Sequence, residues 1–482
     1  MNTSAIMRYC GISLIGVSML MMASAGVAWH EDSEAAMLPL SYAGLITAIV
    51  GVFPLIFVPK QRSIGKREGF FIVTFSWILS CIFGALPYIM YGGEFTLVNT
   101  FFESVSGFTT TGASLLNDIE ALPNGLLFWR IASSWIGGIG IVALVSLMIP
   151  SKDDMQSVLA SAESSDLARS EFSGRKKRFV YTMVTIYTGI TAVSAVALRL
   201  CGMRWFDAVT HAMSACSTCG FSTRNASIAA FDNPWIELIL IVAMLMGGSN
   251  FALLQTTILP WKKGRTIFHS EAFRTFMLGV AAASGITAAD LLLSGRCSSV
   301  IEAVRLSAFQ IASISTTTGF ATTDTDTWPA LSITVLCICS VFCGCTGSTS
   351  GGIKVDRALL AVKGMRAKLH SILHPAHMET VRIDGRIRMT EEVEDTFVFI
   401  LFYLSLIAVG GFINSAGGMD LRSGVSAAMA CMGNVGPGFG IVGSMGNYAG
   451  LPDILKANSM ILMLLGRLEI YPFFLVFGRF LH

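Results

Sequence analysis

Charged residues are scarce in this chain. They make up 13% of its 482 residues, while hydrophobic residues make up 53%. Soluble domains carry roughly 25% charged residues, so this composition excludes an ordinary soluble globular protein. The formal net charge is only +2. The chain therefore has no basic surplus of the kind that nucleic-acid binding requires.

The sequence also lacks the marks of an enzyme or of a disulfide-stabilised protein. Its seven histidines show no metal-ligand spacing, and no catalytic cluster is present. Its eleven cysteines are odd in number and lie mostly in apolar stretches, which indicates small packed residues. Cys216 and Cys219 form a CxxC pair, but no histidine or second CxxC lies in register with them. We therefore expect no enzymatic activity and no organic cofactor.

Long apolar segments are what the chain has in abundance. The first contains "ASA" near its end, which resembles a signal-peptide cleavage site, but its apolar run is long for a signal peptide and a second segment follows at once, so we expect it to be retained. Many segments approach the ~20 residues that span a bilayer, which predicts an all-α polytopic membrane protein. The segments lie near 5–29, 39–59, 69–91, 127–150, 179–201, 234–260, 274–294, 329–343, 394–413 and 456–480.

The distribution of positive charge orients these segments. Lysine and arginine are concentrated in some linkers and isolated in the others. Because cytoplasmic loops carry the excess of positive charge, we expect these linkers and both termini to be cytoplasmic. The basic linkers are 60–68, 151–178, 261–274 and 354–392.

Four polar stretches, here called the polar loops, share one pattern. Each follows a semi-polar segment that is too short to span a bilayer and lies between two full-length segments. Together these units predict an N-terminal helix pair at 1–60 and a pore domain at 61–482, with quarters near 69–150, 179–260, 272–370 and 394–482. The polar loops are "SGFTTTGA" at 106–113, "SACSTCGF" at 214–221, "SISTTTGF" at 313–320 and "ACMGNVGP" at 430–437, aligned on Gly112, Gly220, Gly319 and Gly436.

This repeat predicts one cation pore. Non-helical backbone at membrane depth is tolerated only where it is buried in protein or lines a water-filled cavity. The C-terminal end of a half-helix favours a cation, and rings of carbonyl oxygens replace the hydration shell of potassium. Ordinary external turns would leave four occurrences in register unexplained. The candidate filter residues beside the glycines are Thr110, Thr111, Thr218, Cys219, Thr317, Thr318, Asn434 and Val435.

A glycine-rich stretch interrupts the second span of the third quarter. "CGCTGSTSGGIK" at 343–354 contains Gly344, Gly347, Gly351 and Gly352, and each glycine costs a helix about 1 kcal/mol relative to alanine. It is not a nucleotide-binding loop, because its lysine comes one residue late for that pattern. Close helix packing is one interpretation. A loosely packed segment that opens at small cost is the other.

Arg467 lies in the middle of the last predicted span. An arginine at mid-membrane costs about 2.5–3.5 kcal/mol on the translocon-insertion scale, so such residues usually face the protein interior. One hypothesis is a structural ion pair with Glu469 or with a carboxylate of another helix. The other is a fixed positive charge beside the pore, which opposes cation flow.

The chain resembles the Trk/Ktr/HKT superfamily of potassium transporters over almost its whole length. The motifs that carry the resemblance are "FTTTGAS" at 108–114, "WRIASSWIGGIGIVAL" at 129–144, "STTTGF" at 315–320, "GSTSGGIK" at 347–354, "NVGPGFG" at 434–440 and "LLGRLEI" at 464–470. The resemblance implies potassium transport in a bacterial inner membrane, with one pore of four pseudo-equivalent quarters per chain. It also implies a homodimer among membrane lipids and a cytoplasmic nucleotide-binding ring, called TrkA in the Trk systems. It further implies a gate formed by the glycine-rich stretch beneath the filter, and a pore-facing Arg467.

Two alternatives stay open at this point. A sodium-permeable relative is disfavoured because the resemblance links loss of the first-loop glycine to sodium permeation, and this chain keeps Gly112, although Cys219 departs from the residue that the family has in the second loop. A symporter coupled to protons or sodium predicts intramembrane acids. Glu103 is the best candidate, and His211 and Gln310 occupy the matching positions in the next two quarters.

Overall fold

The computed structural model describes residues 3–31, 33–59, 66–148, 166–258, 266–374 and 380–470. In this part of the chain, six helices are long and apolar enough to cross a membrane, and a bent helix pair provides a seventh span if it is counted as one. All six lie on segments that the sequence predicts as spans. They are Thr3–His30, Glu34–Phe57, Glu68–Tyr91, Tyr181–Leu200, Glu271–Leu293 and Thr390–Ala416.

The two N-terminal helices pack closely against each other and against the first quarter. Their contact depends on small residues, since a Cβ atom added to Gly11 would lie 2.5 Å from the carbonyl oxygen of Gly51. Small residues allow helix backbones to approach in a membrane, where no hydrophobic force drives helix association. These glycines therefore let the two helices meet along their length.

Each polar loop follows a short helix, here called a half-helix. Three of the four begin at a capping side chain: Thr96, Ser299 and Asp420 each accept a hydrogen bond from a backbone N–H of the first turn. The half-helices lie between the two spans of each quarter, as the sequence predicts. Their bounds are Leu97–Phe108, Trp205–Ser217, Val300–Ser315 and Leu421–Gly433.

The segment 234–260, which the sequence predicts as one span, is not a continuous helix. This segment forms the helices Pro234–Gly247 and Phe251–Ile258, which are bent by 109°. The Asn250 side chain accepts a hydrogen bond from the N–H of Ala252 at 2.9 Å and so caps the second helix. The sequence "GGSN" at the break is a signal that the hydropathy pattern concealed.

The second span of the third quarter is also interrupted, at the glycine-rich stretch. The helix Ala330–Val341 ends there, and the helix Val355–Leu373 begins after it. Two short parallel strands, Phe342–Cys343 and Ile353–Lys354, pair across the interruption. They bring the two ends of the 344–352 loop together.

The remaining elements complete the fourth quarter and the basic linker. The last helix covers Asp453–Arg467, and the part of the predicted 456–480 span beyond residue 470 lies outside the described residues. The basic linker at 354–392 contains a hairpin of the strands Arg382–Ile383 and Arg386–Ile387, which the sequence pattern does not predict.

In the first quarter, the predicted 127–150 span corresponds to the helix Asn124–Met148.

Candidate ion pathway

The four polar loops have the same backbone conformation. The residue two positions before each glycine has a left-handed φ of 52–58°, and each glycine has a φ of 77–95°. A non-glycine residue with such a φ is uncommon and strained, and strained residues concentrate at functional sites. The left-handed residues are Thr110, Thr218, Thr317 and Asn434, followed by Gly112, Gly220, Gly319 and Gly436.

The loops meet one another in cyclic order around one axis. A Cβ atom added to Gly112 would lie 1.8 Å from the carbonyl oxygen of Cys219 in the second loop. The loop glycine of each quarter thus lies against a backbone carbonyl of the next quarter, that of the residue directly before the next loop glycine. The fourth quarter contacts the first in the same way. The other distances are 2.0 Å from Gly220 to Thr318 O, 2.2 Å from Gly319 to Val435 O and 2.4 Å from Gly436 to Thr111 O.

This arrangement places four carbonyl oxygens in a ring, here called the carbonyl ring. Its members are the carbonyls of Thr111, Cys219, Thr318 and Val435. In the described part of the chain, none of these four oxygens accepts a hydrogen bond. Buried carbonyls are normally paired, so four neighbouring carbonyl oxygens without a hydrogen-bond donor are an unusual feature of the described part of the chain. Cys219 contributes its backbone carbonyl, so the departure of its side chain from the family pattern leaves the ring intact.

Hydrogen bonds tie each loop to its own half-helix. The N–H of the residue before each glycine donates to the carbonyl five positions earlier, at 2.8–3.0 Å in all four quarters. In addition, Ser106 donates its hydroxyl to the carbonyl of Ala113 at 2.6 Å, and Ser313 donates to Phe320 at 2.8 Å. In the first and third quarters this serine therefore stabilises the loop from behind, a role that the sequence pattern does not reveal, whereas the equivalent Ser214 hydroxyl has no hydrogen-bond partner in the described part of the chain.

Glu103 lies behind the first loop with its charge paired. One of its carboxylate oxygens accepts from the Arg130 Nε at 3.1 Å, and the other accepts from the Ser114 hydroxyl and from the N–H of Leu115, both at 2.7 Å. Its side chain has no exposed surface, and that of Arg130 is 1% exposed. This environment is that of a structural acid. It does not favour Glu103 as a coupling site that binds and releases an ion.

We expect Glu103→Gln to lower stability and to leave the cation dependence of transport unchanged. The substitution leaves Arg130 buried without its counter-charge, which costs about 3–5 kcal/mol. The measurements are the melting temperature of the variant and rubidium uptake per folded molecule, with and without a proton or sodium gradient. If the gradient accelerated uptake by the wild type but not by this variant, Glu103 would be a coupling residue.

The 344–352 loop lies directly beneath the polar loops and is well packed. Its Thr349 hydroxyl donates to the carbonyls of Cys216 and Gly247 at 3.1 and 3.0 Å. A Cβ atom added to Gly351 would lie 2.2 Å from the carbonyl oxygen of Gly433. The expectation of a loosely packed segment is therefore wrong. The glycines serve close approach to neighbouring backbone, and many hydrogen bonds hold the loop in place.

The 344–352 loop requires glycine at four positions, for two different structural reasons. Gly347 and Gly352 have left-handed φ values of 82° and 66°. Gly344 and Gly351 lie against neighbouring backbone, and a Cβ atom on Gly344 would lie 2.5 Å from the carbonyl oxygen of Gly248. Each glycine is thus required by conformation or by space, as the absence of a side chain allows.

Arg467 is buried beside the same loop and has no acidic partner in the described part of the chain. Its guanidinium donates to the carbonyls of Thr349 at 2.7 Å and Gly137 at 3.2 Å, and its Nε has no partner there. Glu469 instead binds Arg357 at 2.6 Å. The hypothesis of an Arg467–Glu469 ion pair is therefore wrong. Among the described residues, the Arg467 charge thus has no salt-bridge partner and is held by backbone carbonyls beside the 344–352 loop.

Charged residues also join the first and second quarters at the other end of the polar loops. Arg224 pairs with Asp207 at 3.2 Å and with Glu120 at 3.4 Å. The amide of Asn225 donates to Asp118 at 2.8 Å, and this hydrogen bond lowers the pKa of the Asp118 carboxyl. These contacts hold two adjacent loops in register at their outer ends.

Comparisons with known proteins agree with this architecture. A family model described as "TrkH: Cation transport protein" matches residues 43–481. The chain is 33% identical over 425 residues to the Trk system potassium uptake protein TrkH of Salmonella typhimurium, with 87% of each chain covered. It is 31% identical over 485 residues to the TrkH of Vibrio parahaemolyticus, with 98% of this chain and 97% of that protein covered.

A solved structure matches the whole fold. The crystal structure of the potassium transporter TrkH from Vibrio parahaemolyticus aligns with a TM-score of 0.88 and 29% identity, covering 99% of this chain and 98% of that one. The all-α polytopic membrane fold and the family resemblance are thereby confirmed. The chain belongs to the TrkH family of cation transport proteins and is a multi-pass membrane ion transporter, not an enzyme.

Proposed function

We propose that this chain is the pore-forming subunit of a potassium uptake system. The carbonyl ring is the single observation that carries the proposal. Four neutral oxygens around one axis can replace the hydration shell of a potassium ion, and the relatives are named as potassium uptake proteins. The absence of a charged side chain among the filter residues also fits a monovalent cation.

The filter of this pore consists of the residues around the ring. The half-helices end at the polar loops, and a helix C-terminus carries a partial negative charge that favours a cation. The left-handed residues and the glycines fix the directions of the carbonyls between them. The filter residues are Thr110, Thr111, Gly112, Thr218, Cys219, Gly220, Thr317, Thr318, Gly319, Asn434, Val435 and Gly436.

The gate consists of the 344–352 loop with its four glycines, together with Arg467. The loop crosses below the filter and hydrogen-bonds to it, and Arg467 donates to its Thr349 carbonyl. A loop in this position obstructs a cation that leaves the filter. The Arg467 charge raises the electrostatic barrier at the same place.

The membrane orientation and the partners of this subunit are proposed from the distribution of positive charge and from the family resemblance. The basic linkers favour a cytoplasmic location for both termini, and with this orientation the half-helices enter from the outer side of a bacterial inner membrane. Two such chains form a homodimer among membrane lipids, and a TrkA-like nucleotide-binding ring acts on its cytoplasmic face. A potassium symporter driven by protons or sodium, or a sodium-permeable relative, is the alternative. The pairing of Glu103 with Arg130 speaks against the symporter.

The purified protein is expected to pass potassium and rubidium better than sodium or lithium. The reason is that a ring of neutral carbonyls favours the ion with the lower cost of dehydration. The measurement is rubidium uptake into proteoliposomes in competition with each cation, with and without a proton or sodium gradient. Equal sodium and potassium flux through intact protein would refute the proposal.

Removal of residues 348–350 is expected to raise rubidium flux several-fold. The deletion withdraws the loop from beneath the filter, and it also removes the buried hydrogen bonds of Thr349, so the melting temperature should fall. A deletion in the exposed turn at Gly92 and Gly93, where a Cβ atom would touch nothing within 4 Å, is the control. Lower flux per folded molecule would make the loop a support and not a gate.

A further inference from the structure

The filter and the 344–352 loop are joined by hydrogen bonds from the first filter position. The Thr317 Oγ1 accepts a hydrogen bond from the N–H of Gly351 at 2.9 Å. In the second quarter, the Thr218 Oγ1 hydrogen-bonds to the Thr349 Oγ1 at 3.3 Å. All of these residues are buried. Two of the four filter quarters are therefore bound directly to the loop.

The other two quarters differ at the same position. The Thr110 Oγ1 and the Asn434 Oδ1 are buried and have no hydrogen-bond partner in the described part of the chain. Since buried polar atoms are normally paired, these two oxygens mark a place where a polar ligand is expected. Thr317 is the equivalent residue in the third quarter, but its oxygen already accepts from the Gly351 N–H, whose partial positive charge would repel a cation bound at the same oxygen.

We propose that a permeating cation and the 344–352 loop compete for the Thr317 hydroxyl oxygen, so that a cation at the filter base favours opening of the loop. The inference rests on the proposed function. While the loop is in place, the Gly351 N–H holds the Thr317 oxygen. When a cation binds beside the unpartnered oxygens of Thr110 and Asn434, the Thr317 oxygen can coordinate this cation instead of accepting the hydrogen bond from Gly351.

Competition of this kind has a necessary thermodynamic consequence. A ligand that binds better when the loop has left must shift the loop toward the open state, and the open loop must bind the ligand better by the same factor. Loss of one net hydrogen bond corresponds to about a fivefold change in an equilibrium constant. The potassium gate would thus respond to the presence of its own ion without a separate sensor.

Hydrogen exchange of the loop backbone tests the proposal without relying on transport. In the wild type, we expect the 344–352 segment to exchange about fivefold faster in potassium chloride than in N-methylglucamine chloride of equal ionic strength. In Thr317→Val the segment should exchange fast in both salts, because the anchor is absent. Thr317→Ser keeps the hydroxyl and should restore the salt difference.

Thr110→Val is the matched control. It makes the same substitution at the equivalent filter position, but its hydroxyl has no hydrogen bond to the loop. We expect slow exchange without potassium in this variant, as in the wild type. Equal behaviour of the Thr317→Val and Thr110→Val variants would overturn the proposal.

If the 344–352 segment of the wild type exchanges at the same rate in the two salts, this result alone overturns the proposal, and no variant is needed. Thr349→Val is a second way to loosen the loop if Thr317→Val does not fold, and it should also exchange fast in both salts. Slow exchange in a folded Thr349→Val variant would count against the anchoring. Failure of the proposed function is distinguished by rubidium uptake, which reports potassium transport whether or not the loop responds to the ion.

Discussion

Gly112→Ser is expected to reduce the preference for potassium over sodium by about tenfold or more. A Cβ atom at this position would lie 1.8 Å from the carbonyl oxygen of Cys219, so the first or the second polar loop has to move. A left-handed φ of 77° adds strain for a residue with a side chain. Movement of the Cys219 carbonyl removes one of four ligands from the ring. A change of about 1.4 kcal/mol in relative binding is a factor of ten.

The measurement is the sodium-to-potassium permeability ratio of the variant in a planar bilayer. Gly202→Ser is the matched control, because Gly202 also has a left-handed φ, of 101°, but a Cβ atom there would touch nothing within 4 Å. The control carries the backbone strain without the collision and should keep the wild-type ratio. An unchanged ratio in Gly112→Ser would show that this loop does not face the ions.

The broad architecture could be predicted because it depends on patterns along the chain. Apolar length determines most of the spans, and the four loops recur in register, so their alignment on Gly112, Gly220, Gly319 and Gly436 identified four stretches that share one backbone conformation in the structure. The half-helices followed from segments too short to cross a bilayer. The cyclic contact of each glycine with the next loop could not be read from the sequence, since it joins residues that lie far apart along the chain, such as Gly436 and Thr111.

Three structural features could not be predicted from the sequence. The break at Gly247–Asn250 was hidden because the flanking residues are apolar enough to be continuous in a hydropathy window. The tight packing of the 344–352 loop depends on which backbone lies opposite each glycine. The pairing of Glu469 depends on the third quarter, because Arg357 of that quarter, and not Arg467, binds this carboxylate. The last two features depend on residues from distant parts of the chain, which local sequence does not identify.

Arg467→Ala is expected to raise rubidium flux by about tenfold to a hundredfold. Two unit charges on the order of 6 Å apart repel by about 2–3 kcal/mol at an effective dielectric constant of about 20, which would add to the barrier for a passing cation, and each 1.36 kcal/mol is a factor of ten in rate. Removal of the arginine also frees the Thr349 carbonyl of the loop. Both effects increase flux.

Stability should change little in the same variant, because no carboxylate loses its partner. Glu469 keeps its pair with Arg357. Two carbonyls, of Thr349 and Gly137, lose a donor, which costs about 1–3 kcal/mol each if they stay dry. This cost is offset because an arginine without a counter-ion is no longer buried. The melting temperature, measured beside rubidium uptake per folded molecule, tests this balance.

Two further substitutions separate the charge of Arg467 from its hydrogen bonds. Arg467→Lys keeps the positive charge but loses the planar fork that reaches two carbonyls. Arg467→Gln keeps an amide donor but loses the charge. If the charge forms the barrier, the lysine variant should conduct like the wild type and the glutamine variant like the alanine variant. If instead the hydrogen bond to Thr349 holds the loop closed, the lysine variant should conduct faster than the glutamine variant. Low uptake with a large fall in melting temperature for the alanine and glutamine variants would mean that Arg467 is structural, since a barrier charge is not needed for folding.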